Sequence, residues 1–416
     1  MKVRIHGGAQ TIGGNCVEVE HEGSHIVLDV GRPLDADGEV PLPEVSGFRS
    51  HDAGLLGVLI SHGHQDHWGL AGQLPDEVPL YMGEATHRIL SEAEFWTKGL
   101  SVKPERFFED QRPFAIGPFK ITPYLVDHSA YGAFALLVEA GGRRLFYTGD
   151  FSGQGRKRAL FYRFLRKAPT NIDVLMMEGT NIRPGNDPFP KADCATEDDV
   201  ENELVAHFQA TKGMALVSHS SQNVDRLVTI YRAAKRSDRT LAMDIYTASI
   251  MKATGNPSIP QPGADWALVR VFVVKWQRDR IEKTGQEWRL RQIKPCRVFK
   301  EELARTPEKF VASTTWRTAL FLANAGALEG AQAVWSMWPG YLDRDSDKKL
   351  GTFLAERGIP RRIVHASGHA SMENLQAFAE AVGPRRLVPI HTSDPGGFSD
   401  LFDNVEVHAD TSWWDV

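Results

Sequence analysis

Residues 60–69 read Ile-Ser-His-Gly-His-Gln-Asp-His-Trp-Gly. Four side chains able to ligate a metal, His62, His64, Asp66 and His67, fall within six positions. Imidazole suits zinc and other borderline transition metals, and a carboxylate adds an anionic partner. The run follows Gly57-Val58-Leu59-Ile60, an apolar, β-prone stretch that reads as a buried strand. Gly63 lets the backbone turn tightly between the first two histidines. Beyond Asp66 the residues have helix-start character. His62 and His64 can converge on one ion while Asp66 and His67 diverge toward a second, a two-metal layout. The plain alternative is a solvated histidine-rich turn. The specific Gly and Asp positions, set on a buried strand, argue against it.

Such a loop needs strands to hold it. The first 180 or so residues are rich in short β-prone runs separated by glycine turns. Residues 16–20 alternate, Glu22-Gly23 turn and residues 25–30 return, which predicts a hairpin. Residues 134–139, Gly141-Gly142 and 144–148 repeat the device. From about residue 188 the texture changes. Strand-like residues 213–218, a helical spacing over 223–235 (Val224, Leu227, Val228 and Tyr231 on one face) and strand-like 240–245 predict a parallel sheet covered by helices. Residues 309–313 and 333–337 resume that rhythm. Residues 362–365, a helix over Met372–Val382 and a strand over 386–391 close it. The region 265–300, charged and aromatic, has no legible periodicity. Two local basic stretches stand out in a chain of formal net charge −5, Arg156–Lys167 and Lys275–Lys300, each open to reading as a solvated helix face.

Further ligands are expected at strand ends facing the same cleft. Asp127-His128-Ser129 follows strand-like 121–126, and Thr148-Gly149-Asp150 follows 144–147. With these in view, the His-x-His-x-Asp-His motif resembles the signature of the metallo-β-lactamase superfamily, and the likeness extends over the whole chain. The resemblance implies an α/β fold, a metallo-β-lactamase αββα sandwich. In it His128 completes one metal, Asp150 bridges both, and Asp29, within Val-Leu-Asp-Val-Gly, supports the ligand loop. Two dications about 4 Å apart share one water and lower its pKa toward neutrality. The hydroxide then attacks an electrophile, and phosphodiesters gain most because they are anionic throughout.

The order of later motifs resembles the β-CASP branch, in which a second α/β domain is inserted into the first. The expected parts are 1–187, an insertion over 188–362, and a completing part over 363–416. Glu178 in Leu-Met-Met-Glu-Gly-Thr, His369 in Ser-Gly-His-Ala and His391 in Pro-Ile-His match three further motifs of that branch. The likeness is to the ribonuclease J and cleavage-factor ribonucleases, with ribonuclease J nearer. It implies that His391 completes the second metal and that His369 binds the scissile phosphate and protonates the leaving oxygen. Ser367 would hold a phosphate oxygen, and Glu178 would orient a ligating histidine. Asp66, Glu178 and His369 are the expected catalytic residues. Ser220–Arg226 resembles the helix-opening segment of the ribonuclease J insertion. The chain departs from that group after the last motif, where Thr392-Ser393-Asp394 stands in place of Gly-Glu. It also carries the aromatic and basic stretch from Trp266 to Trp288, and by that likeness the group's C-terminal oligomerisation domain is expected to be missing.

The resulting expectation is a metal-dependent ribonuclease acting on single-stranded RNA, as 5′-exonuclease, endonuclease or both. Its cofactors would be two divalent ions, zinc first and manganese second. His391 favours RNA over DNA, since DNA-repair relatives carry an apolar residue there. A single-strand DNA nuclease, a small-molecule hydrolase on the same core and a non-catalytic RNA-binding scaffold are the alternatives. An oligomer stays open. Three cysteines, odd in number and far apart, imply no disulfide framework and a reducing, cytoplasmic setting. The N-terminal residues lack an apolar signal region, and no run of about 18 apolar residues predicts a membrane span.

Overall fold

Alternating residues at the start of the chain build a sheet that buries one face. In the computed structural model, which describes residues 1–36, 38–97, 102–183 and 195–416, β1 (Lys2–Gly7), β2 (Cys16–His21) and β3 (Ser24–Leu28) pair antiparallel. The expected hairpin closes at Glu22-Gly23, both at positive φ. β4 (Leu55–Leu59), β5 (Leu80–Gly83) and β6 (Pro104–Phe108) add in parallel. A second sheet follows with β7 (Phe114–Ile116), β8 (Phe119–Leu125), β9 (Phe134–Ala140) and β10 (Arg143–Tyr147) antiparallel, and β11 (Val174–Glu178) parallel to β10.

The chain next forms β12 (Ala215–Ser218), β13 (Thr240–Asp244), β14 (Val269–Phe272), β15 (Phe310–Ser313), β16 (Gln332–Trp335) and β17 (Arg361–Ile363). All pair in parallel, in the order β14-β13-β15-β12-β16-β17. β18 (Arg386–Ile390) then joins β11, and β19 (Trp413–Asp415) joins β1. The first two sheets therefore run β19-β1-β2-β3-β4-β5-β6 and β18-β11-β10-β9-β8-β7.

Two compact units result, Met1–Asp187 with Gly368–Val416, and Pro188–Ser367. In the first, Val3, Ile5, Val17 and Ile26 of one sheet share a buried core with Ile121, Leu136, Val138 and Val388 of the other. The helices Arg158–Arg166 and Met372–Val382 cover the second sheet's outer face. Phe164 there stacks on Phe378 with ring centroids 4.3 Å apart and planes 8° from parallel. Leu90, from the helix Glu84–Trp96, clusters with Val58 and Ile60 on the first sheet's outer face. This is the expected αββα layering. The basic stretch 156–167 is the outer side of one covering helix, whose Phe161 and Phe164 are buried and whose Arg163 pairs with Asp110 at 2.8 Å.

The second unit is a parallel sheet with helices, as the βαβ rhythm predicts. Residues 265–300 hold β14, a helix over Lys275–Lys283, a short helix over Trp288–Gln292 and a 3-10 turn over Lys294–Cys296. The nine-residue helix buries only Gln277 and Ile281, too narrow a stripe to show as periodicity. The unit also runs beyond the expected residue 362. Val364 donates to Trp335 O at 2.9 Å, and Ala366 O accepts from the buried Arg226 at 3.2 Å. Arg226 opens the helix Val224–Arg236 and also holds Glu197 and Ser336 O, at 2.8 and 2.6 Å. No helix among the described residues is long and apolar enough to cross a membrane.

Candidate metal centre

Strands of one direction deliver their C-terminal ends to one edge of the first unit. β4 leads into His62 and His64, β8 into His128, β10 into Asp150, β11 ends on Glu178, and β18 leads into His391. The loop after β4 closes with one helical turn, Gln65–Trp68, which carries Asp66 and His67. Residues after β3 clamp that turn by backbone bonds, Val30 N to His67 O and Arg32 N to Gln65 O, both 2.9 Å. Glycine is required at position 31, because a Cβ there would stand 1.7 Å from Asp66 O. Asp29 and His391 hold left-handed backbones (φ 59° and 52°) that non-glycine residues seldom adopt.

The side chains meet in overlapping groups. His62, His64, His128 and Asp150 offer ligand atoms within 4.8 Å of one another, as do Asp66, His67 and His391, and Asp150, His369 and His391. Asp150 is common to the first and third groups. Its Oδ2 lies 3.6 Å from His62 Nε2, 3.2 Å from His67 Nε2 and 3.9 Å from His128 Nε2. Its Oδ1 lies 3.7 Å from His391 Nδ1. Asp66 Oδ2 is 3.8 Å from His391 Nε2.

Ring tautomers follow from the outer partners. His67 Nδ1 bonds Asp29 at 2.7 Å, His128 Nδ1 bonds Gly368 O at 2.9 Å and His391 Nδ1 bonds Asn15 Oδ1 at 2.9 Å. Ser61 Oγ donates to Asp29 at 2.8 Å and so accepts from His62 Nδ1 at 3.0 Å. In His62, His128 and His391, whose Nδ1 carries the ring proton, Nε2 presents a lone pair inward, and His67 does the same once a cation replaces the proton between its Nε2 and Asp150. Nε2 of His62, His67 and His391 and both oxygens of Asp150 are buried and make no hydrogen bond. Buried polar atoms are costly when unpaired. Inward lone pairs around a carboxylate are a donor set that fits cations, so the residues present suit divalent metal ions.

The electrostatics favour the ligating form at three rings and the protonated form at His67. Burial, with the neighbouring histidines, pulls His62 and His128 well below the ordinary imidazole value, and His64 to about 4. These three are neutral near pH 7, the ligating form. Burial also works against a charged His67, but Asp150 and Asp29 outweigh it and hold that ring well above its ordinary value. Burial would push Asp150 up, yet His391, His67 and His369 keep its carboxyl well below the usual range.

His369 stands apart in being partly exposed. Its Nδ1 lies 3.1 Å from Thr180 Oγ1, 3.5 Å from Glu178 Oε1 and 3.6 Å from Asp150 Oδ2. Burial opposes its charge, but Glu178 and Asp150 raise it to about 9. Glu178 thus faces His369 rather than one of the histidines of the opening motif, because the residue 369–370 loop lies over the end of β11. Glu178 is further fixed by Thr180 N and Ala370 N, at 3.0 and 3.1 Å. Ser367, expected beside the phosphate, is the last residue of the second unit.

Sequence reading missed Asn15, Ser61, Tyr147 and Thr180. Tyr147 donates to Asp29 at 2.7 Å and accepts from Asn15 at 3.2 Å, so it ties the Asp29 and His391 supports together. A strand-end aromatic carries no local signal that separates a hydrogen-bonding role from core packing, and Ser61, beside His62, has no charge to mark it.

Fold and site together define a metallo-β-lactamase domain. Residues 10–190 match the family model described as Metallo-beta-lactamase superfamily, and the resemblance drawn from residues 62–67 holds. Curated relatives include ribonuclease J of Mycoplasma pneumoniae, 24% identical over 94% of this chain and 67% of that protein. Ribonuclease J of Mycobacterium tuberculosis is 25% identical over 99% of this chain and 71% of that protein. The chain thus spans about two thirds of the length of these relatives. A crystal structure of a protein of unknown function from Enterococcus faecalis V583 shares the fold, with TM-score 0.78, 22% identity and 99% coverage of both chains.

Proposed function

We propose that the protein is a metal-dependent ribonuclease that hydrolyses phosphodiester bonds of single-stranded RNA. One observation carries this reading. A buried carboxylate with no hydrogen bond, Asp150, stands among inward-facing imidazoles, with a partly exposed, acid-backed histidine at its edge. The name of the relatives, ribonuclease J, supports RNA as the substrate. The second unit, a parallel α/β insertion between two stretches of the first, supports membership of the β-CASP branch.

His62, His64 and His128 would hold one cation and Asp66, His67 and His391 a second, with Asp150 shared. The imidazole-rich set favours zinc, with manganese the next fit. Such cations lower the pKa of water and neutralise charge on phosphate oxygens. Asp29, Ser61, Asn15 and Tyr147 fix the ring orientations and keep each Nε2 lone pair turned inward. His369, held as an imidazolium by Glu178 and steadied by Thr180, donates to a non-bridging phosphate oxygen and then gives its proton to the leaving ribose oxygen. Ser367 adds a hydroxyl donor to the phosphate. Action from a 5′ end, within the strand, or both are the modes this chemistry serves.

The test incubates the protein with 5′-monophosphorylated and 5′-hydroxyl RNA and DNA of one sequence, with Zn²⁺ or Mn²⁺, and sizes the products. Metal-dependent cleavage of RNA in preference to DNA, lost in His64→Ala, is the expected result. Equal or faster cleavage of DNA would replace the ribonuclease with a DNA nuclease. Intact nucleic acid with both metals would remove nuclease action altogether.

A further inference from the structure

The residues from 275 to 300 have no part in the metal centre. They carry nine lysines and arginines against three carboxylates, a net charge of +6 in a chain whose total is −5. Lys275, Arg278, Lys283, Arg291, Lys294 and Lys300 are exposed. Two large aromatic side chains are exposed among them, Trp288 at 41% and Phe299 at 55%. Each carries a guanidinium over its ring, Arg289 and Arg297, both 4.6 Å from the centroid.

The segment folds against an edge of the second unit's sheet. Val298 N donates to Val271 O at 2.9 Å, which covers the outer strand β14. The same pairing sets Arg297 beside the helix that follows β14. Burial, together with the Arg278 charge, pulls the Arg297 guanidinium below its ordinary value. Lys275 pairs with Asp279 at 2.9 Å, but the cations of the segment still outnumber its carboxylates. The net charge and exposed apolar rings both cost stability in an unliganded surface. A binding role offsets that cost.

We propose that residues 275–300 form a surface for single-stranded RNA, in which the lysines and arginines take successive phosphates and Trp288 and Phe299 stack on bases. The inference rests on the reading of the protein as an RNA hydrolase and adds where substrate is held outside the metal centre. Charge complementarity selects a polyanion. Exposed aromatic rings select unpaired bases, since those of a duplex are already stacked. The guanidinium–aromatic pairs extend the same π-surface.

The experiment measures binding of a labelled oligouridylate of about 20 nucleotides by fluorescence anisotropy across a salt series, in the full chain carrying His64→Ala so that RNA survives. A quadruple variant, Arg278→Gln with Arg291→Gln, Lys294→Gln and Lys300→Gln, should weaken binding about tenfold or more and flatten the log–log salt slope by about 0.7 per charge removed. A second variant, Trp288→Ala with Phe299→Ala, should weaken single-strand binding roughly tenfold and leave the salt slope in place. Both alter exposed side chains, and an unchanged melting temperature excludes misfolding. Unaltered affinity and slope in both variants overturns the proposal, as does an equal loss of duplex binding in the aromatic variant. Failure of the parent to cleave any RNA sinks the ribonuclease reading, while variant-sensitive binding upholds the surface.

Discussion

Each of four histidines at the metal centre commits Nδ1 to a neighbour, and the neighbour differs every time: a carboxylate, a serine hydroxyl, a backbone carbonyl and an asparagine amide. Asp29 serves two of these rings at once, directly through His67 and through Ser61 to His62. Replacing Asp29 by Asn should lower metal affinity by about 10–100-fold, the usual cost of losing an outer partner. Chelator competition measures it, and an affinity within about twofold of the parent would show that the rings are held without the carboxylate. His369→Ala should keep its metals and lose about 10²–10⁴ in cleavage rate, as expected for a proton donor. Metal loss in that variant, read by elemental analysis, would instead assign His369 to the ligand set with Asp150 and His391.

At the scale of elements, Arg226 joins the helix beginning at Glu197, the helix Val224–Arg236, the end of β16 and the stretch after β17. Both charged partners are buried, at 1% and 9% side-chain exposure. Arg226→Ala should destabilise the second unit by about 3–5 kcal/mol, since it removes the cation paired with the buried Glu197 carboxylate. Denaturant titration followed by far-UV dichroism tests this, and a loss under about 1 kcal/mol would mean that Glu197 finds other donors. The same scale shows what the sequence could reveal. The hairpins at residues 16–30 and 134–148 were legible because period-2 alternation and glycine turns are local signals. So were the motif ligands, since six adjacent positions need no tertiary structure to be seen. Glu178 facing His369 was not legible, because it depends on how a loop whose Ala370 lies 192 positions later sits over a strand end. The helix Lys275–Lys283 was hidden because a stripe of two buried residues resembles noise.

For the whole molecule, acid should act on both units by separate routes. Glu18 is buried between His25, His6 and Arg4. Burial opposes its charge, and these partners outweigh it and hold its carboxyl far below the usual 4.5. A depressed carboxyl stabilises the fold above its unfolded pKa and loses that contribution as pH falls below it. His207 and His219, in the second unit, are pulled by burial from 6.5 to about 4. The unfolded chain then binds protons that the folded chain refuses, so stability should decline as pH falls from 6.5 toward 4. Urea midpoints across that window measure it. The double variant His207→Gln with His219→Gln should flatten the slope, and an unchanged slope would place the effect elsewhere. Removing metal with a chelator at neutral pH should lower the melting temperature of the first unit, whose buried Asp150 and Nε2 atoms then lack partners.

His391 and Asn15, hydrogen-bonded in the folded protein, are separated by 376 positions in the chain. His391 N also donates to Gly8 O at 2.7 Å, and the strand beside β1 is β19. A ribosome adding roughly 5–20 residues per second therefore makes His62, His64, Asp66 and His67 long before His391 exists. During that interval the group of Asp66 and His67 lacks its third member, and the first sheet lacks its outermost strand. The third member of that group and the strand that pairs with β1 thus arrive together, in one late stretch of the chain.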